Sequence, residues 1–231
     1  MKNIIKFNPL LIDHLSGKQI DTGMRFDVSF LLEKPIQERQ DTLLALTKGK
    51  RVIHVGCADH IEVIDKKITD GTHLHSLLID NCERCLGLDI NGHALEHLRI
   101  NYGMEGLFCF DVCEGPFRTS NPYDYVLLGE MLEHVGDPVA FLKKVKENLQ
   151  DSTEHIIITV PNAYSERHVK VYYEKGLEVI NSDHRFWFTP YTLLKVMYEA
   201  GISIIDLMVA DQCGNTPQAS TTLVAIGNLS G

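Results

Sequence analysis

The residues of this chain that could do chemistry recur at the ends of short apolar runs. His54-Val55-Gly56-Cys57-Ala58 closes the first run. A glycine there permits a tight turn and a close approach of backbone to a ligand, and the helix start that follows favours negative charge. The run from Arg84 to Ile90 ends in Asp89, where a carboxylate can accept hydrogen bonds from both hydroxyls of a ribose. The run from Gly106 ends in Asp111, an acid that could meet an exocyclic amine. Tyr123 to Gly129 continues into Glu130-Met131-Leu132-Glu133-His134-Val135-Gly136-Asp137-Pro138. Each acid taken alone also reads as a helix cap or turn residue. Three such ends in this order are a far stronger signal than any one of them.

Histidine titrates near neutrality, so His134, just past the fourth run, is a candidate general base, with His184 second. His134 reads equally well as a structural histidine bonded to the nearby loop. Asn162 follows the fifth run and is a plausible polar contact for an acceptor molecule. His184, Arg185 and Trp187 lie in an Asp-His-Arg-Phe-Trp-Phe segment that could cover that acceptor, although aromatics ahead of a helix also pack as core or lid. Cys82-Glu-Arg-Cys85 has metal-ligand spacing, with Cys57, His60, His73 and His75 as conceivable neighbours. Cys85 opens an apolar run, and Cys109 and Cys113 flank another, so burial is the better expectation. The spacing of Glu130, Asp183 and His184 does not demand magnesium. No metal site is expected.

The elements that must position these residues alternate. Short apolar strands (51–57, 84–90, 106–111, 123–129 and 155–160) are separated by helical patterns over 59–69, 72–81, 92–101 and 138–149. Asp137-Pro138 is a strong N-cap and first helical residue. Such alternation implies right-handed crossovers and a parallel sheet covered on both faces, with ligands at the carboxyl ends of the strands. Thr189-Pro190 starts a last helix that Gly201 stops. Residues 202–210 and 220–226 then form two strands separated only by the turn-rich stretch Asp211 to Gln218, too short for a crossover helix, so they pair as an antiparallel hairpin. Before residue 50 there is a mixed apolar stretch, Phe26 to Leu32, broken by Pro35, and a helical pattern over Ile36 to Leu46.

Composition narrows the function further. Hydrophobic residues make up 44% of the 231 and charged residues 23%, enough for a full core. The net charge of −9 disfavours nucleic acid and acidic membranes, and the short basic clusters at Lys48-Gly49-Lys50-Arg51 and Lys143-Lys144 read as solvated turns and helix faces. No run approaches the roughly 20 apolar residues of a membrane span, and the first fifteen residues lack an export-signal pattern. The six cysteines are therefore expected to be reduced, in the cytoplasm.

The order Gly56, Asp89, Asp111 and Glu-Met-Leu-Glu-His-Val resembles the class I S-adenosylmethionine-dependent methyltransferases, and the last of these motifs resembles their small-molecule branch, which includes ubiquinone-type and sugar-modifying O-methyltransferases. The resemblance covers roughly residues 50 to 227. It implies a Rossmann-like α/β fold: a mainly parallel seven-stranded sheet with a C-terminal antiparallel hairpin and helices on both faces. Residues 50–231 would be the cofactor domain and 1–49 a helical cover. By position, His54, Gly56, Cys57 and Ala58 would hold the methionine part of S-adenosylmethionine. Asp89 and Ile90 would hold the ribose, Asp111 and Val112 the adenine, and Glu130 and Met131 would line the sulfonium. The product would be S-adenosylhomocysteine, and the acceptor a small polar molecule such as a sugar or nucleotide-sugar, methylated on oxygen. The first motif departs from the family pattern in having His54 for an acid and Ala58 and His60 for glycines. A nicotinamide oxidoreductase is the weaker alternative, because Gly-x-Gly-x-x-Gly is absent and Asp89 comes too late. A methyltransferase fold that only binds is the other.

Overall fold

Seven strands form one sheet in the order β3-β2-β1-β4-β5-β7-β6. They are β1 (Arg51–Val55), β2 (Arg84–Asp89), β3 (Leu107–Cys109), β4 (Tyr123–Gly129), β5 (Thr153–Pro161), β6 (Ser203–Ala210) and β7 (Thr222–Asn228). The first five are mutually parallel, and β7 runs antiparallel between β5 and β6. The helices are α1 (Pro9–Leu15), α2 (Arg39–Thr47), α3 (Ile61–Thr69), α4 (Leu74–Asn81), α5 (Gly92–Tyr102), α6 (Pro138–Leu149), α7 (Glu166–Lys175) and α8 (Pro190–Glu199). The computed structural model describes residues 9–26, 36–212 and 216–230. Most of the apolar stretch Phe26 to Leu32, Pro35 and part of the turn-rich stretch after Asp211 lie outside the described residues.

Strand alternation divides the core between the two faces. Ile53, Val55, Val126 and Leu128 face α6 and α8, where they meet Leu142, Val145, Leu193 and Met197, with Leu15 of α1 added at the edge. Val52, Leu127, Ile157 and Val224 face the other way, onto Leu43 of α2 and Leu74 and Leu78 of α4. A smaller cluster joins α3 and α5 through Ile64, Leu95 and Leu98, with Cys57 and Leu107. Among the described residues no helix is long and apolar enough to cross a membrane.

The strand order sets the position of the site. The chain leaves β1 for β2 and β3 on one side, then returns to β4 on the other. A crevice opens where the direction of winding reverses, above the carboxyl ends of β1 and β4. Val55 and Leu128 are register partners there, so the turn after β1 and the motif after β4 begin side by side.

The structure modifies several expectations. β3 is three residues long and stops at Cys109, so Phe110 and Asp111 belong to the loop. α2 starts at Arg39, later than the apolar pattern suggested, because Asp211 receives the Arg39 backbone N–H at 2.6 Å and fixes the start. α7 carried no sequence expectation at all. It is polar overall and has no buried residue; its signals are the Ser165 cap and the left-handed Gly176 that ends it.

Candidate active site

Gly56 takes a φ of +71°, and a side chain there would meet the Met131 sulfur at 3.2 Å. Glycine alone suits both conditions. Asp89, at the end of β2, is buried, and its two oxygens accept from different turns: the Ala58 N–H at 2.9 Å and the Asn91 N–H at 2.9 Å. The carboxylate thus ties the β1 turn to the β2 turn, and each oxygen keeps a lone pair for a ligand hydroxyl. Ile90, beside it, is exposed. Asp111 accepts from the Cys113 N–H at 2.8 Å, and the Val112 side chain is buried in the core while its carbonyl accepts from the Asn148 amide at 2.8 Å.

Three expected cofactor or acceptor contacts require correction at the level of the side chain. Cys57 points into the α3–α5 cluster, where burial pushes its thiol far up, and its N–H donates to the Leu88 carbonyl at 3.4 Å. His54 shares the Val52 side of β1, and its Nδ1 lies 3.3 Å from Nδ1 of His75, beneath the sheet. Asn162 is buried; its amide donates to the Ser220 carbonyl at 2.8 Å and accepts from the Tyr164 N–H at 3.0 Å. That amide clamps β5 to the hairpin and is not offered to an acceptor. Position after a strand marks the ligand edge, but strand alternation decides where the side chain goes.

Beyond β4 the motif folds into a dense set of titratable groups. Glu130 has a φ of +52°, rare for a residue with a side chain, and its N–H is held by Thr159 through the hydroxyl at 3.0 Å and the carbonyl at 3.1 Å. Strained backbone of this kind clusters at functional sites. Burial pushes its carboxyl up, and the Arg39 guanidinium pulls it back. A single 3-10 turn over Leu132–His134 then brings Glu133 inward and fully buries it. Burial first, and the Glu130 charge second, push the Glu133 carboxyl up to about 8.

The segment after α7 completes the group. The Arg185 N–H donates to the Glu133 carbonyl at 2.8 Å, which draws residues 183–185 onto the motif. The Arg185 guanidinium lies where a side chain on Gly136 would be, 2.7 Å from that position. His134 Nδ1 is 3.2 Å from Asp183, and its ring meets His184 edge-on with centroids 4.7 Å apart. His60, at the start of α3, reaches the same Asp183 at 3.5 Å. The Trp187 indole donates to Glu178 at 2.7 Å and packs on His168. Ligand atoms of Glu133, His134 and His184 all lie within 4.8 Å of one another, a spacing a metal ion could bridge. Both oxygens of Glu133, one of Glu130 and Nδ1 of His184 are buried without a hydrogen-bond partner. Buried polar atoms without partners are rare, and an ion, a ligand or a bound water can satisfy them.

Sequence reasoning passed over Arg39 and gave Glu133 no role. Arg39 comes from α2 and depends on an anchor, Asp211, that is 172 residues away, a contact no local pattern announces. Glu133 stood in the motif, but its inward turn comes from the 3-10 geometry.

The methyltransferase-domain family model matches residues 28–207. The chain belongs to that family. The domain is of the class I, S-adenosylmethionine-dependent kind, which sets it apart from the domain of nicotinamide oxidoreductases. It is 24% identical to a tRNA U34 carboxymethyltransferase of Alteromonas mediterranea, over 86% of this chain and 55% of that protein. It is 28% identical to a ubiquinone biosynthesis O-methyltransferase of Aeromonas salmonicida, over 69% of this chain and 65% of that protein. The chain therefore spans less than two thirds of the length of the curated relatives it matches. Among solved structures it is similar in fold to the small RNA methyltransferase HEN1, with a TM-score of 0.58 and 18% identity over 90% of this chain and 27% of that one.

Proposed function

We propose that this methyltransferase acts on an acceptor hydroxyl, and that Glu133, His134 and His184 hold a divalent cation beside it. The observation that carries the reading is the convergence of those three side chains with unpartnered, buried carboxylate and imidazole atoms. A set of two imidazoles and a carboxylate suits manganese, cobalt, iron or zinc, and tolerates magnesium less well. A cation of this kind, when bound, acidifies a hydroxyl attached to it and holds it in line. Burial raises both carboxyls, and the Glu130 charge adds to the rise at Glu133; a cation bound beside them would favour their charged forms.

The remaining residues bind and align. The backbone at Gly56, Cys57 and Ala58 takes the methionine end of S-adenosylmethionine, and Asp89 takes the ribose. Ile90, Asp111 and the backbone of Val112 frame the adenine, and Glu130 and Met131 flank the sulfonium. S-adenosylmethionine, when bound, would supply an electrophilic methyl group to an acceptor hydroxyl held against it, with S-adenosylhomocysteine and the hydroxyl proton as the groups to be released. Enzyme acceleration here is mostly proximity and alignment. His184, Arg185 and Trp187 border the acceptor. Of the cover expected over residues 1–49, α2 supports the reading, because its Arg39 acts on the Glu130 and Glu133 charges. The acceptor is a small polar molecule with a free hydroxyl, of the sugar or nucleotide-sugar kind. The net charge of −9 supports that choice over RNA, the kind of acceptor named for the Alteromonas relative.

One observation favours a second reading. His134 pairs with Asp183 through Nδ1 at 3.2 Å, the arrangement that readies the other nitrogen to take a proton directly. Methyl transfer to sugars, catechols and RNA, each with and without EDTA, separates the two. EDTA is expected to lower turnover roughly 100-fold, with manganese or cobalt restoring it. Turnover indifferent to EDTA removes the cation and leaves His134 as the base. The cofactor assignments are tested by titrating S-adenosylhomocysteine. Asp89→Ala removes charged hydrogen bonds worth about 2–3 kcal/mol, so affinity should fall roughly 30- to 160-fold. Unchanged affinity would mean that Asp89 only ties the two turns together.

A further inference from the structure

A cavity of about 960 Å³ lies between the chain that follows α1 and the start of α8. Lys195 of α8 donates to the Leu15 carbonyl at 2.7 Å and so holds the end of α1. The chain then turns at Gly17, whose φ is +72°, and the Gln19 N–H returns to the Asp13 carbonyl at 3.1 Å. By Phe26 it has reached the start of α8, where the Phe26 and Tyr191 rings meet edge-on with centroids 5.7 Å apart. Tyr164, beyond β5 and 60% exposed, supplies a further wall. That wall is joined to the acceptor side of the crevice: the Ala163 N–H donates to the Phe188 carbonyl at 2.8 Å, and Phe188 follows Trp187 directly.

Most polar groups of this lining are already engaged. Asp21 is taken by Gln19 at 3.1 Å and by His14 at 3.6 Å. The Thr189 and Thr192 side chains cap α8, and Lys195 is spent on the Leu15 carbonyl and on Glu199. What stays open is the surface of Ile20, Met24, Tyr164 and Tyr191, together with Arg25, which is exposed and makes no ion pair among the described residues. The first turn of α8 stands in the same wall and adds the positive end of its dipole. A free sugar needs hydrogen-bond partners that these residues no longer offer. A flat ring linked to an anion finds a stacking face and a guanidinium fork. We propose that the cavity binds the nucleoside diphosphate of a nucleotide-sugar acceptor, with the base on Tyr164 and the phosphates on Arg25. The inference rests on the reading of an acceptor hydroxyl given above and narrows it to one acceptor class. An aromatic carboxylic acid has the same ring-and-anion chemistry in smaller form; a volume at the upper end of ligand pockets favours the nucleotide.

Uridine diphosphate should be titrated calorimetrically into the full chain already saturated with S-adenosylhomocysteine, so that the cofactor crevice is closed to it. The expected result is binding that Arg25→Ala weakens roughly 10- to 100-fold and Tyr164→Ala roughly 5-fold or more, with affinity for S-adenosylhomocysteine unchanged in both. Both side chains are exposed, so neither change threatens the fold. Three outcomes overturn the proposal: no binding, binding indifferent to both changes, or 4-hydroxybenzoate binding in place of the diphosphate. Its failure differs from failure of the reading beneath it. Methyl transfer to free sugars without diphosphate binding removes the nucleotide alone, whereas diphosphate binding by a chain that methylates no hydroxyl strikes that reading and leaves the ligand of the cavity standing.

Discussion

Two pairs of histidines flank this sheet in opposite circumstances. His54 and His75 meet beneath it, Nδ1 to Nδ1 at 3.3 Å, and both are buried. His134 and His184 meet at its carboxyl edge, both partly open to solvent, with the carboxylates of Glu133 and Asp183 around them. Burial holds His75 down to about 3, with the neighbouring His73 adding to it, so the inner pair is neutral, one ring donating and the other accepting. For His184, burial and His134 lower the pKa while Asp183 raises it. The same residue type thus packs in one place and can act in the other. Proximity of two imidazoles carries no functional meaning by itself; a carboxylate within reach and an open face supply it.

The largest expected effect lies in the outer pair. His134→Ala should lower turnover by roughly 10²- to 10⁴-fold while affinity for S-adenosylhomocysteine stays close to that of the wild type. Loss of cofactor affinity in parallel would mean that the ring supports the crevice instead of the reaction. Asp183→Asn should follow with a smaller loss, roughly 10- to 100-fold, because this residue orients a ring and does not meet the substrate. Its activity profile against manganese concentration should also shift to the right. A kcat change with no change in metal dependence would sink the cation and favour direct proton transfer to His134.

The sequence made the sheet legible wherever its signals were local. β4 and α6 have the bounds expected of them, because an apolar run ended by glycine and an Asp-Pro helix start are each self-sufficient. The closing hairpin was legible from the length of its connection. Asp89 was placed at a strand end, and the structure adds the two backbone N–H groups it binds. What stayed hidden depended on side-chain direction or distant contacts. His54 and Cys57 were read by their position in a motif, yet strand alternation and the turn send both inward. Asn162 was read as a polar contact, yet the hairpin across from it, 58 residues on, consumes its amide. In the grouping of Glu133, His134 and His184 the first and last lie 51 positions apart, and the Arg185 N–H on the Glu133 carbonyl helps to hold the two segments together.

The inner pair gives the smallest effect, and its sign is fixed by its pKa. In the folded chain His75 binds a proton only near pH 3, whereas in the unfolded chain it does so near the ordinary 6.5. Its neutral form costs the fold nothing above about 6.5. As pH falls below that, the unfolded state takes up a proton the native state refuses, and stability is lost progressively down to about pH 3. Between pH 7 and pH 5 this amounts to about 2 kcal/mol. His75→Gln, which cannot titrate, should be less stable than the wild type at pH 7 but should lose less on acidification, so the gap between the two narrows by about that amount at pH 5. Urea unfolding at the two pH values measures it. A gap that does not change would mean that His75 is protonated in the folded chain, and the contrast between a dry inner pair and a working outer pair would then fail at its simpler end.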